Sequence, residues 1–342
     1  MKKYFPLATT LLCFLLITSS CSRFLMQADE RNTPTNCFNL LWQTVDTHYA
    51  FFDLKKIDWR SVKKRYEPLI DDKISQDSLY KVLEAMLNEL NDGHVNLTTA
   101  TQRSHNWRWK QDFPDNYSPN FVAKKYWGTD FQITGPFIHQ WLPDSIGYIH
   151  YASFGAGISD GDLNYILSRF AGSRGLIIDI RDNGGGAMNN VLKFMNRFAD
   201  KKIAVGYSFT KNGPAHQQFT KASTFYTSPT PKAISYLKPV ILLINRGCYS
   251  ATTFFAGFMS SLPNVTLMGD QTGGGGGIPI SSDLPNGWQY RFSATYTLLP
   301  DSTNIESGVM PKIKVFTDVN DELEGQDKLI ERAIQCIRDN GR

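Results

Sequence analysis

Two apolar runs, "GLIIDI" (175–180) and "PVILLI" (239–244), constrain this chain more than any other feature. Neither shows the polar alternation of a strand with one wet face, so each must be covered on both sides, which is the situation of strands in a parallel sheet flanked by helices. "IGYIHY" (146–151) and "VTLM" (265–268) add two further strands. Helical periodicity follows at Ser159 to Ala171, Ala187 to Ala199 and Ser250 to Leu262. Strand and helix alternate, so residues 146–342 read as one α/β core with a largely parallel sheet. Within it, "GWQYRFSATYTLL" (287–299) reads as a single alternating strand and 320–338 as a closing helix.

The preceding third of the chain has a different rhythm. "FNLLWQTVDTHYAFF" (38–52) and "SLYKVLEAMLNEL" (78–90) place apolar residues at i, i+3, i+4 and i+7, with Ser75 or Asp77 available to cap the second. A helical N-terminal lobe over 37–97 is expected, joined to the core by an irregular aromatic-rich segment, 98–145. Its aromatics, concentrated in "RSHNWRWKQDFPDNYSPNFVAKKYWGTDF" (103–131), serve either as satellite core or as the wall of a substrate groove.

Composition excludes several classes. With 342 residues, 42% of them hydrophobic, the chain can bury a full core, and a net charge of +4 without a dense basic run gives no footing for a nucleic-acid groove. The six histidines include no HExxH pair, which removes the usual zinc hydrolase, and neither metal nor cofactor is expected. The opening "MKKYFPLATTLLCFLLITSSCSRF" combines two lysines, an apolar stretch from Leu7 to Ile17 and small residues ending at Cys21. It reads as a signal peptide (1–20) and is too short to span a bilayer, a task that takes roughly 20 apolar residues. Thr18, Ser19 and Ser20 before Cys21 resemble a bacterial lipobox, so Cys21 is the expected lipidation site, residues 21–36 a tether, and the mature protein an exported lipoprotein facing the periplasm or cell surface. Cys37, Cys248 and Cys336 then remain, an odd count that argues against a disulfide framework while leaving one bridge open.

Ligands of α/β sheets gather where strands end and helices begin. In "GLIIDIRDNGGGAM" (175–188), Gly184, Gly185 and Gly186 let backbone N–H groups approach a ligand oxygen. In "PVILLINRGCYSATTFFAGF" (239–258), Ser250 sits at the mouth of a helix, where a serine is either an N-cap or a nucleophile. The N–H of Ala251, with one from the Gly185–Gly186 turn, would supply a two-donor oxyanion hole. A third feature, five glycines from Gly273 to Gly277, is not a phosphate loop, because Ile278 and Pro279 stand where the lysine would be.

Six segments occur here in an order that resembles the C-terminal processing and tricorn-core serine peptidases, family S41: "LNDGHVNL" (90–97), "IGYIHYASF" (146–154), "GLIIDIRDNGGG", "PVILLINRGCYSATTFFAGF", "LMGDQTGGGGG" (267–277) and "IESGVMPKIKV" (305–315). The resemblance spans about 37–320 and implies a crotonase-like α/β core, an acyl-enzyme mechanism and peptides or unfolded protein tails as substrates. In one branch a lysine base stands 25 residues after the nucleophile; here that position is Gly275. The tricorn-like branch instead draws a histidine from the early motif and a glutamate from the late one, which points to His94 and Glu306 beside Ser250. That branch carries a serine before the histidine as relay to the glutamate, whereas this chain has Gly93, so the Glu306 contact is either direct or made through another group. About 50 residues between 97 and 146 leave too little length for an inserted PDZ domain. Gly273, Gly274 and Gly275 are expected to form a flexible, side-chain-free wall of the substrate groove. The rival expectation is a non-catalytic module binding peptides or small apolar ligands on the same fold.

Overall fold

The structure, a computed structural model, describes residues 31–230 and 232–340, so the export segment and Cys21 lie outside the described residues. The N-terminal lobe comprises α1 (Pro34–His48), α2 (Phe52–Lys55), α3 (Trp59–Tyr66) and α4 (Gln76–Asn88), followed by the short strand β1 (Asn96–Thr98). Thr33 caps α1 by accepting the Asn36 N–H, and Pro34 suits the first helical position because no partner is needed there. The helix therefore begins inside the stretch expected as tether. Tyr49 is extended, which splits the 38–52 periodicity into α1 and α2, and Ser75 rather than Asp77 caps α4.

The segment 98–145 is more ordered than expected. After α5 (Pro119–Val122) come β2 (Gln132–Thr134) and β3 (Phe137–Leu142), and β3 runs antiparallel to β4 (Ile146–Tyr151) from Phe137↔Tyr151 to Leu142↔Ile146. The core sheet thus begins before residue 146. Further along lie α6 (Asp160–Arg169), β5 (Gly175–Asp179), α7 (Met188–Met195), β6 (Ala204–Thr210), β7 (Ser223–Tyr226), β8 (Val240–Ile244), α8 (Ala251–Ser260) and β9 (Val265–Gly269). The chain closes with β10 (Pro279–Asp283), β11 (Gln289–Ser293), β12 (Thr295–Leu298), β13 (Ile313–Lys314), α9 (Val319–Leu323) and α10 (Lys328–Asn340).

The main sheet has the order β13-β9-β8-β5-β4-β3-β2, parallel from β13 to β4 with β3 and β2 antiparallel at one edge. Successive side chains explain the continuous apolar runs: Leu176, Ile178, Leu242 and Ile244 join the core with α6, α7 and α8, while Ile177, Ile241 and Leu243 pack beneath α10. Helix α8 is buried almost throughout, and truncating Phe255 to alanine would cost about 3–5 kcal/mol. The expected single strand at 287–299 is two. Ala294 hands the chain from one sheet to another, its N–H donating to Ile278 and its carbonyl accepting from Lys211. β11 lies between β1 and β10 beneath the helical lobe, whereas β12 pairs with β6. The lobe is consequently built from residues 34–98 together with 279–293. Cys37, Cys248 and Cys336 are all free.

Candidate active site

Ser250 precedes α8 with φ 56° and ψ −124°, outside the usual range of an L-residue and worth roughly 1–3 kcal/mol of strain. Its side chain makes no capping bond to the helix; Oγ lies 2.8 Å from Nε2 of His94. The strained backbone is fixed from two sides. The Ser250 N–H donates to Gly274 at 2.9 Å and the Tyr249 N–H to Asn183 at 3.1 Å.

Those bonds assign the glycine run a different part from the one expected. Gly273, Gly274 and Gly275 are buried, and none of them borders the cavity at Ser250. A Cβ on Gly274 would fall 2.0 Å from the Glu306 carbonyl oxygen, one on Gly275 2.6 Å from the Tyr249 ring, and one on Gly273 2.4 Å from the Trp109 indole. The run is a tight crossing of backbones that holds the serine and is not flexible, and Gly273 and Gly275 line a second cavity of about 270 Å³ with Trp109, Tyr249 and Glu306.

At the facing turn, Gly185 has φ 103°, and a Cβ there would sit 2.7 Å from the Tyr249 carbonyl and 3.0 Å from the Ala251 nitrogen. Gly185 is not the expected oxyanion donor, because its N–H is already given to Asn183 Oδ1 at 3.0 Å. Gly184 and Gly186 line the cavity, which has a volume of about 440 Å³. The N–H groups of Gly186 and Ala251 donate to no other described residue in the turns, loops and caps.

His94 comes from the turn before β1. Its N–H donates to Asp92 Oδ1 at 2.8 Å, and Asn96 donates to its carbonyl at 3.0 Å. With Nε2 accepting from the serine, the proton of the neutral ring sits on Nδ1, which faces the Ser293 hydroxyl at 3.5 Å. Burial pushes the imidazole down to about 4; Asp92 pulls upward, while Arg291 and Lys55 add to the depression.

Glu306 is buried close by, but its carboxylate is spent elsewhere: Oε1 pairs with Lys55 Nζ at 2.7 Å and Oε2 accepts the Gly276 N–H at 2.9 Å. No hydrogen bond joins it to His94 among the described residues. Burial and the Asp92 anion push Glu306 up to about 7 against the pull of Lys55. Burial would also raise Asp92, yet Lys55, then His94 and its N–H, hold that carboxyl below the ordinary range. Lys55 itself stays protonated, since the two carboxylates outweigh its desolvation. Lys55, Asp92 and Ser293 escaped the sequence reading. Only the proximity of Asp92 to His94 in "NDGH" offered a signal.

The aromatic segment divides between its two expected parts. Trp107 and Trp109 border the cavity with Lys110 and Arg291, and Trp109 stacks on Tyr249 with ring centres 4.1 Å apart. Val122 and Tyr126 instead join the core under α10. That stack also accounts for Gly93, because a Cβ there would meet the Trp109 Nε1 and the Tyr249 hydroxyl, each at 2.6 Å. A relay serine has no room at position 93.

The model of "Peptidase family S41" matches residues 145–315, half of the chain, and that of the "Tricorn protease C1 domain" matches 31–88. The chain belongs to peptidase family S41. It is 28% identical over 144 residues to the carboxy-terminal processing protease CtpA of Bacillus subtilis, covering 42% of this chain and 29% of that one. The chain thus spans less than two-fifths of the length of the curated relatives it matches. Among solved structures, a candidate peptidase from Parabacteroides merdae is 40% identical, with 90% of this chain and 97% of that one covered at a TM-score of 0.84. The photosystem II D1 C-terminal processing protease shares the fold at 15% identity and a TM-score of 0.58, over 88% of this chain and 99% of that one. The S41 architecture, a mixed α/β sheet with a helical N-terminal lobe, is therefore that of this chain.

Proposed function

We propose that this protein is a serine endopeptidase that cleaves peptides or unfolded protein tails through an acyl-enzyme, with Ser250 as nucleophile and His94 as general base. The observation that carries this reading is the 2.8 Å contact between Ser250 Oγ and His94 Nε2 at the mouth of a cavity of about 440 Å³. As the serine oxygen attacks a scissile carbonyl, its proton passes to Nε2, and the carbonyl oxygen gathers charge beside the Gly186 and Ala251 N–H groups and the N-terminus of α8. Nε2 then protonates the leaving amine, and water deacylates the serine by the reverse transfer. Glu306, the third residue expected of this family, enters as part of the buried charge cluster behind the base.

Fluorophosphonate labelling followed by peptide mapping tests the assignment directly. A single adduct on Ser250 is expected; a folded protein that takes up no label would overturn it in favour of a binding module. We also infer export and lipid anchoring at Cys21, on the strength of the N-terminal pattern alone. Cys21→Ser should abolish partitioning of the processed chain into detergent, and unchanged partitioning would remove the anchor.

A further inference from the structure

Glu306 leaves the imidazole without its family partner, yet the buried ring has one side still to be satisfied. We propose that Asp92, acting through the Ser293 hydroxyl, is the carboxylate that positions His94, with Lys55 as its counter-cation. This rests on Ser250 and His94 being nucleophile and base. Nδ1 faces Ser293 Oγ at 3.5 Å, a long contact that shortens as the ring gains its second proton. Asp92 Oδ2 is buried without a hydrogen-bond partner among the described residues, and the Ser293 hydroxyl is among the groups that hold the Asp92 carboxyl below its ordinary range. In the proposed path the serine oxygen accepts from Nδ1–H and the hydroxyl gives its own hydrogen to Oδ2, the Asp92 oxygen left without a partner. Asp92 Oδ1 meanwhile grips the His94 backbone N–H at 2.8 Å, so one carboxylate fixes both the main chain and the ring.

Charge favours Asp92 over Glu306 for this duty. The charged groups that act on the imidazole are Asp92, Arg291 and Lys55; of these only Asp92 favours the imidazolium. Lys55 bonds Glu306, and its field holds Asp92 as the anion of the pair. The relay hydroxyl comes from the end of β11 because Trp109 and Tyr249 fill the space beside Gly93. A side chain from a distant strand thereby replaces one from the adjacent position.

Asp92→Asn, Ser293→Ala and Glu306→Gln separate the alternatives, with Ser250 labelling rate and the NMR titration of the His94 ring as readouts. Asp92→Asn should slow labelling by about 10²- to 10⁴-fold, move the His94 titration to lower pH and shift the neutral ring from the Nδ1–H tautomer toward Nε2–H. Ser293→Ala should move both readouts in the same direction, and Glu306→Gln should stay within about tenfold of wild type without a tautomer change. If Asp92→Asn does not fold, Ser293→Ala decides, since it keeps the Cβ that packs on Gly277. Labelling and titration unmoved in the Asp92 and Ser293 variants, or a loss in Glu306→Gln equal to theirs, would overturn the relay. Failure of wild-type Ser250 to label would instead count against the nucleophile assignment, and the tautomer measurement would still decide the relay.

Discussion

The two halves of this site are held by different materials. Around Ser250 the restraints are backbone atoms: a strand end, a helix N-terminus, the Gly274 carbonyl and glycines too tightly packed for any side chain. Around His94 they are side chains, the buried Asp92, Ser293 and Glu306 and the half-buried Lys55, brought from four separate segments into one charge cluster. A backbone scaffold tolerates almost no change of residue size at its crossings. A charge cluster depends on balance, so the partner of each member is set by the others, and Glu306 bonds Lys55 and not His94.

The largest effects should come from breaking the single contact that joins the halves. Ser250→Ala should lower turnover by about 10⁶-fold, and His94→Ala by nearly as much, because the members act as a unit. Thermal stability should hardly change in Ser250→Ala, since the hydroxyl caps nothing on α8. With the imidazole driven to about 4, the acid limb of kcat/KM should lie well below the ordinary histidine value of about 6.5: the ring is neutral and competent above its pKa and protonated below it. Unimpaired peptide hydrolysis by either variant, measured alongside a melting curve, would show that the contact does no chemistry.

A smaller effect, confined to the backbone half, distinguishes a rigid crossing from a loose loop. Gly274→Ala forces a Cβ to 2.0 Å from the Glu306 carbonyl at φ +86°, which must displace the acceptor of the Ser250 N–H. More than about 1 kcal/mol of stability should be lost, together with much of the labelling at Ser250. Gly184→Ala provides the control, because a Cβ there meets nothing within 4 Å. Equal denaturation midpoints for the two variants would restore the flexible wall.

What the sequence made legible follows the same division. The apolar runs at 175–180 and 239–244 announced their burial, and Ser250 and the Gly184–Gly186 turn could be located because backbone geometry restricts residue type. Gly185 does less than its motif suggests: the residue is indispensable for close approach, but its N–H belongs to Asn183. β3 was hidden because its alternation, with Phe137 and His139 inward, lies in a stretch dominated by aromatics. Lys55 and Ser293 had no signal at all. A lysine at the end of a short amphipathic turn looks like a solvated charge until the fold half-buries it against the Glu306 carboxylate.

The smallest expected effect lies at the residue that the family pattern ranks among the most important. Glu306→Gln preserves an acceptor for the Gly276 N–H and removes a carboxyl that burial and Asp92 have driven to about 7, so turnover should fall less than about tenfold. Its signature should appear instead in stability against pH. The folded-state value lies above the ordinary carboxyl range, so wild type takes up a proton on folding between about pH 4.5 and 7; the stabilisation from that uptake is complete below this window and is lost as pH rises through it. The glutamine variant lacks this titration. Melting temperatures of the two proteins should therefore converge or cross in favour of the variant as pH is raised from 4.5 to 8, whereas a glutamate that orients the imidazole as a permanent anion would give a variant whose deficit widens with pH and whose turnover falls by orders of magnitude.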